Sequence, residues 1–121
     1  MKITSFNPLI VSADPQGTVK LFEELGFERR HTKEGIEGNV TSYDLKYGDF
    51  RVNVAQADNM PQDLTAIRMN VRDFDETYEL LISRGFKNVY GDDTVKTKSS
   101  KSAFLIAPSG FGINLVEHLR K

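Results

Sequence analysis

Leu21-Phe22-Glu23-Glu24-Leu25-Gly26-Phe27 returns, at an offset of 59, as Leu80-Leu81-Ile82-Ser83-Arg84-Gly85-Phe86, with Leu, Gly and Phe in register. The same offset pairs Asp14 with Asp73, and each Asp opens a helical pattern. Further on, Val52-Asn53-Val54 matches Ile113-Asn114-Leu115 at an offset of 61. The order of elements agrees in the two halves, which is the signature of an internal repeat. The chain is read as two copies of one module, about 1–57 and about 64–121, sharing a single domain. The polar stretch Ala57–Asp63, with Pro61, links them.

Each module spells strand, helix and three strands. In the first, a strand near Thr4–Val11 leads to Asp14 as N-cap and Pro15 at the first helical position, where its missing N–H costs nothing. Val19, Phe22 and Leu25 form the apolar stripe, and Gly26 ends the helix. Strands are predicted near Glu28–Thr32, Val40–Lys46 and Phe50–Ala55, with Gly35 and Gly38 in the first connection and Tyr47-Gly48-Asp49 as a hairpin turn. In the second module a strand near Thr65–Val71 precedes Asp73-Phe74-Asp75-Glu76, a capping-box arrangement, and a helix that buries Phe74, Tyr78 and Leu81. Strands near Lys87–Tyr90, Ser102–Ile106 and Gly112–Glu117 complete it, and Gly91–Lys101 is expected to be a mobile polar loop. The fold class is therefore α+β: two βαβββ modules in tandem. One helix covers only one face of each sheet, so the uncovered faces are expected to curl around a shared cavity, with the helices outside.

The composition excludes several chemistries. Among 121 residues, 16 Lys+Arg stand against 17 Asp+Glu, so no bulk field favours nucleic acid. There is no Cys, hence no disulfide, thiolate nucleophile or Cys-based zinc site. No apolar run is long enough to span a membrane. Met1–Asn7 runs into strand-like sequence and reads as no signal peptide, so a cytoplasmic location is expected.

Four motifs together resemble the vicinal oxygen chelate superfamily, which includes glyoxalase I, extradiol dioxygenases, fosfomycin-resistance enzymes and bleomycin-resistance proteins. They are Asn7–Asp14 leading into the first helix, Leu25-Gly26-Phe27 at its end, Val71–Asp75 before the second helix, and Ala107–Glu117 as the closing turn and strand. The resemblance implies four inward metal ligands, a His or Gln, a Glu, a His and a Glu. Carried over by position, these fall on Asn7, Asn53, Ala66 and Asn114. Alanine has no donor, and three neutral amides lack the charge and basicity to hold Zn²⁺, Ni²⁺ or Fe²⁺. No metal or other cofactor is expected. A displaced metal site built from His31 or His118 is the alternative, against the reading of both as ordinary polar residues.

Period-two alternation then sets the two faces of each strand. Asn7 travels with Leu9, Asn53 with Arg51 and Ala55, Ala66 with Arg68 and Asn70, and Asn114 with Gly112 and Val116. The opposite faces carry Val52, Val54, Ile67, Met69, Ile113 and Leu115, suited to packing under helices. The candidate ligand-binding residues are Asn7, Leu9, Tyr43, Arg51, Asn53, Ala66, Arg68 and Asn114. Amides orient a neutral polar ligand, and Arg51 and Arg68 suit a bidentate clamp on a carboxylate or phosphate. The competing account has the amides bonded to each other and to water, and the arginines paired with Asp44 or Glu117. Tyr43, Phe104 and Phe111 belong to cavity or core, and parity leaves this open.

Other catalytic patterns are weak. Glu23-Glu24 and Asp92-Asp93 read as solvated surface, Ser109-Gly110 has no His nearby, and Gly110-Phe111-Gly112 lacks a third glycine. Lys96, Lys98 and Lys101 have no interleaved aromatic residue for stacking nucleic acid. The expected function is metal-free binding of a small molecule, neutral and polar or anionic, in an amide- and arginine-lined cavity of the glyoxalase/bleomycin-resistance type. The resemblance also implies a homodimer. The alternative is an enzyme of the same family, a lyase, isomerase or dioxygenase, with a relocated metal or none.

Overall fold

The computed structural model describes residues 2–34, 41–57 and 61–119. The chain is an α+β protein whose first half runs βαβββ and whose second half adds one short strand, βαββββ, and it divides into two compact units: Asn7–Thr65, and Met1–Phe6 with Ala66–Lys121. The first strand, β1 (Ile3–Ser12), therefore begins in one unit and ends in the other. Gly35, Gly38 and part of the link between modules lie outside the described residues.

In the Asn7–Thr65 unit, β1 is followed by α1 (Pro15–Glu24), β2 (Glu28–Glu34), β3 (Thr41–Tyr47) and β4 (Phe50–Gln56). β2 and β3 are antiparallel, as are β3 and β4, and β4 returns parallel to β1 with Leu9 opposite Asn53 and Ile10 opposite Val54. Tyr47 faces Phe50 across the expected hairpin, and Gly48 takes the left-handed conformation, φ 59°, that a two-residue turn requires. Val19 packs on Tyr43, Leu45, Val52 and Val54, with Ile10, Phe22 and Phe27 around them.

Two details differ from the sequence reading. Leu25 is 59% exposed rather than part of the stripe. A spacing of three falls short of the 3.6-residue turn, so Leu25 has drifted about 120° around the helix from Val19. Asp14 stands at the N-cap position but makes no side-chain cap; instead Ser12 Oγ accepts from the Asp14 N–H at 3.1 Å.

The other unit repeats the plan with β5 (Leu64–Val71), α2 (Phe74–Ser83), β6 (Lys87–Asn88), β7 (Val95–Lys96), β8 (Ser100–Ile106) and β9 (Gly112–His118). β5 and β9 are parallel, β8 is antiparallel to β9, and β6 and β7 both pair antiparallel with β8. Asp73 Oδ1 accepts from the Glu76 N–H at 3.0 Å, the cap read from sequence. Phe74, Tyr78 and Leu81 pack on Met69, Val71, Ala103, Leu105, Ile113 and Leu115.

Here β6 stops at Asn88 rather than Tyr90. The Val89 N–H still reaches the Phe104 carbonyl at 3.0 Å, but the Asn88 side chain then accepts from the Tyr90 N–H at 2.9 Å and donates to the Asp93 carbonyl at 2.8 Å, which turns the chain out of the ladder. The stretch Gly91–Lys101, expected as a loop, contains β7. Thr97 Oγ1 accepts from the Ser99 and Ser100 N–H groups at 3.1 and 2.9 Å, and the Thr97 N–H donates to the Ser100 carbonyl, closing a small hairpin. Hydroxyl residues that look like loop composition are here the bonds that make the turn. Among the described residues no helix is long and apolar enough to cross a membrane.

Candidate functional site

On β4 the alternation puts Val52 and Val54 under α1 and turns Asn53 to the opposite face. Asn7 reaches Asn53 from β1: its Nδ2 donates to Asn53 Oδ1 at 3.0 Å. Leu9, the Cα partner of Asn53, shares that face and is buried. One ladder step across, Asp44 stands opposite Asn53, and Lys46 opposite Arg51. Arg51 Nη1 meets Asp44 Oδ2 at 3.3 Å, the pairing that the sequence left as the alternative to an anion clamp. The Asp44 side chain is 13% exposed and that of Arg51 39%, so the carboxylate lies low on the face and the guanidinium reaches outward. This face thus joins four of the expected residues, Asn7, Leu9, Arg51 and Asn53, and adds Asp44.

Tyr43 does not belong with them. It pairs with Val54, so its ring falls on the α1 side among Val19, Leu45 and Val52, and its hydroxyl accepts from Gln16 Nε2 at 2.7 Å. Parity within β3 was legible in the chain, but the β3–β4 register that relates it to Asn53 was not.

In the second module Ala66, Arg68 and Asn70 of β5 stand opposite Gly112, Asn114 and Val116 of β9, on the face away from the α2 core. Phe104 pairs with Asn114, which puts its ring on this face rather than in the core. A Cβ on Gly112 would come within 2.6 Å of that ring and 3.4 Å of Ala66 Cβ, so the ring lies flush on bare backbone beside Ala66. Asn70 Oδ1 is buried with no hydrogen-bond partner among the described residues. Phe111 instead meets Phe86 edge-on at 5.7 Å. Glu117 is not an arginine partner in this arrangement: its Oε1 accepts from the Phe74 N–H at 2.8 Å, at the start of α2.

The donor set does not fit the transition metal of the family pattern. The Asn53 carbonyl oxygen, the atom that would coordinate, already accepts from Asn7, and Ala66 offers nothing. No group of three or more His, Asp or Glu suited to a metal occurs among the described residues. The side chain of His31 lies outside the described part, and His118 is an exposed residue at the end of β9.

Two successive modules, each with its last strand parallel to its first, are the architecture that the sequence resemblance led us to expect. Solved structures agree along nearly the whole chain. Methylmalonyl-CoA epimerase from Mycobacterium tuberculosis is 18% identical with a TM-score of 0.70, over 98% of this chain and 90% of that one. A variant of Streptomyces coelicolor methylmalonyl-CoA epimerase in complex with 2-nitronate-propionyl-CoA is 20% identical with a TM-score of 0.69, over 99% of each chain. A glyoxalase/bleomycin resistance protein/dioxygenase superfamily member from Vibrio splendidus 12B01 is 15% identical with a TM-score of 0.62, over 93% of this chain and 97% of that one. No protein-family profile and no curated protein matches the sequence. Likeness at such identities establishes the fold, on which many unrelated chemistries are carried.

Proposed function

We propose that this chain is a small-molecule-binding protein that works without a metal and takes a polar or anionic ligand on its amide-lined faces. The Asn7–Asn53 hydrogen bond is the contact of the competing account, and what supports the binding reading is the pair of groups that it leaves unused. It holds two carboxamides side by side on the uncovered face, with Asn7 Oδ1 left as acceptor and Asn53 Nδ2 as donor among the described residues. Such an edge complements a carboxylic acid or amide, which presents the reverse pair. Arg51 supports an anionic ligand, because one contact to Asp44 leaves most of its five donors unused. In the second module Arg68, Asn114 and Ala66 belong to the same reading, with the buried Asn70 acceptor calling for a donor. A homodimer and a cytoplasmic location complete the proposal.

Turnover by an enzyme of this fold, such as the epimerase neighbours, is the competing reading. It needs a base free to take a proton. Asp44 is the carboxylate beside the amide pair, and Arg51 engages it. Binding is therefore preferred.

The test is a thermal-shift screen of small carboxylates and amides, on the wild type and on Asn53→Leu. At least one compound should raise the melting temperature of the wild type and not of the variant. A panel without effect, or with equal effect on both proteins, overturns the reading. Elemental analysis of tag-free protein purified without chelators should find metal well below one equivalent. Stoichiometric zinc, nickel, iron or manganese overturns the metal-free assignment in favour of the enzyme.

A further inference from the structure

At one end of β2 and β3 the Asn7–Thr65 unit carries an open pocket of about 410 Å³ lined by Gly26, Glu28, Arg30, Lys46, Tyr47 and Gly48. None of these residues belongs to the amide pair.

The backbone register shows how the lining is assembled. Glu28 is opposite Lys46 and Arg29 opposite Leu45, but His31 is opposite Asp44, so Arg30 is the extra residue of a β-bulge. Bulges redirect a side chain at the cost of a ladder bond and recur beside binding sites. Arg29 goes to the α1 side, where it meets Glu23 at 3.3 Å and lies 5.4 Å from the Tyr43 ring centre. Arg30 is left to the pocket.

Lys46 has Arg51 as its other cross-strand partner, a like charge that destabilises the pair. Arg51 is relieved by Asp44. Neither Arg30 nor Lys46 is within ion-pair distance of a carboxylate among the described residues. Two cations therefore face one carboxylate, Glu28, in a concavity. Gly26 and Gly48 leave the rim bare, and the ring of Tyr47, next along the strand from Lys46, turns to the α1 side. The Tyr47 ring is 49% exposed and is held between Phe27, 5.5 Å away, and Phe50, stacked at 6.4 Å. A Cβ on Gly48 would meet only open space.

We propose that this pocket is a binding subsite for the phosphate group of a small organic phosphate monoester. The Arg30 fork takes two phosphate oxygens and the Lys46 ammonium a third. Glu28 opposes the anion and sets selectivity, accepting a hydrogen bond from a hydroxyl on phosphate or ligand. The subsite uses other residues than the amide pair, so the two proposals fail separately.

The test is a ¹H–¹⁵N NMR titration with phenyl phosphate at low ionic strength. Saturable shifts are expected at the backbone amides of Gly26, Arg30, Lys46 and Gly48. Arg30→Gln and Lys46→Gln should each weaken binding about tenfold, as expected for loss of a charged hydrogen bond. Glu28→Gln should tighten it, and Lys20→Gln, the same charge change on the exposed side of α1, should leave it unchanged. The proposal is overturned if those amides do not shift, or if Lys20→Gln weakens binding as much as Arg30→Gln. It is equally overturned if Arg30→Gln and Lys46→Gln both leave the affinity unchanged.

Discussion

At the start of its helix the second module uses two carboxylates where the first uses none. Asp73 caps the Glu76 N–H, and Glu117 on the last strand accepts from the Phe74 N–H. At the position of Phe74 the first module has Pro15, which has no N–H to satisfy, and at the position of Glu117 it has the neutral Gln56. Asp14 makes no side-chain cap, although Gly17 stands where Glu76 does in the second module, and Ser12 anchors the chain instead. The helix faces differ too. Phe74, Tyr78 and Leu81 follow the four-and-three spacing of the turn and stay on the core, while Val19, Phe22 and Leu25 drift away from it.

The helix ends agree. Gly26 and Gly85 have φ of 109° and 92°, and an added Cβ would meet Tyr47 at 2.8 Å and Pro108 at 3.0 Å. The residue after each glycine returns its N–H to the helix: Phe27 to the Phe22 carbonyl at 2.9 Å and Phe86 to the Leu81 carbonyl at 3.1 Å. The repeat thus keeps what backbone geometry demands and lets the polar chemistry diverge.

The largest expected effect tests whether the two cores are equivalent. Leu45 and Leu105 are both fully buried, one on β3 and one on β8. Leu45→Ala and Leu105→Ala should each cost about 3 kcal/mol in urea unfolding. A twofold difference between them breaks the equivalence.

The glycine ends sharpen it next. Gly85→Ala should cost about 2 kcal/mol, combining the left-handed φ with the rigid Pro108 ring, and Gly26→Ala about 1 kcal/mol, since the half-exposed Tyr47 ring can swing aside. The same denaturation experiment reads both, and the reverse order overturns the assignment of rigidity to Pro108.

The caps should separate the modules more finely. Asp73→Ala is expected to cost about 1 kcal/mol and Asp14→Ala almost nothing, because only the first removes a bond. Equal losses mean that Asp14 also caps its helix in solution. Smallest of all, Arg51→Ala should change stability by no more than about 0.5 kcal/mol, since its pair with Asp44 is partly solvated. A larger loss means that Arg51 is structural, which weakens its place in ligand binding.

The repeat, both helices, their closing glycines and the Asp73 cap were legible because each depends on neighbours within a few residues. The inward amides were legible once the strand period was known, and Asn7 and Asn53 do meet. Tyr43 was misplaced, Asp44 was named only as one of two partners for an arginine, and the bulged Arg30 went unremarked. All three depend on which residue of β3 lies opposite which residue of β2 or β4. A one-residue change of register exchanges the faces without altering any local signal.

By itself, then, the sequence determined the βαβββ order, its duplication and the absence of thiol chemistry, since these rest on spacing and residue type. Only the tertiary structure decided that Asn7 and Asn53 bond to each other, that Arg51 answers Asp44, and that Glu117 serves a helix end rather than an arginine. Each of these is a contact between residues distant in the chain. Such a contact follows from the pairing of whole strands, in which every residue's partner is set by all the others.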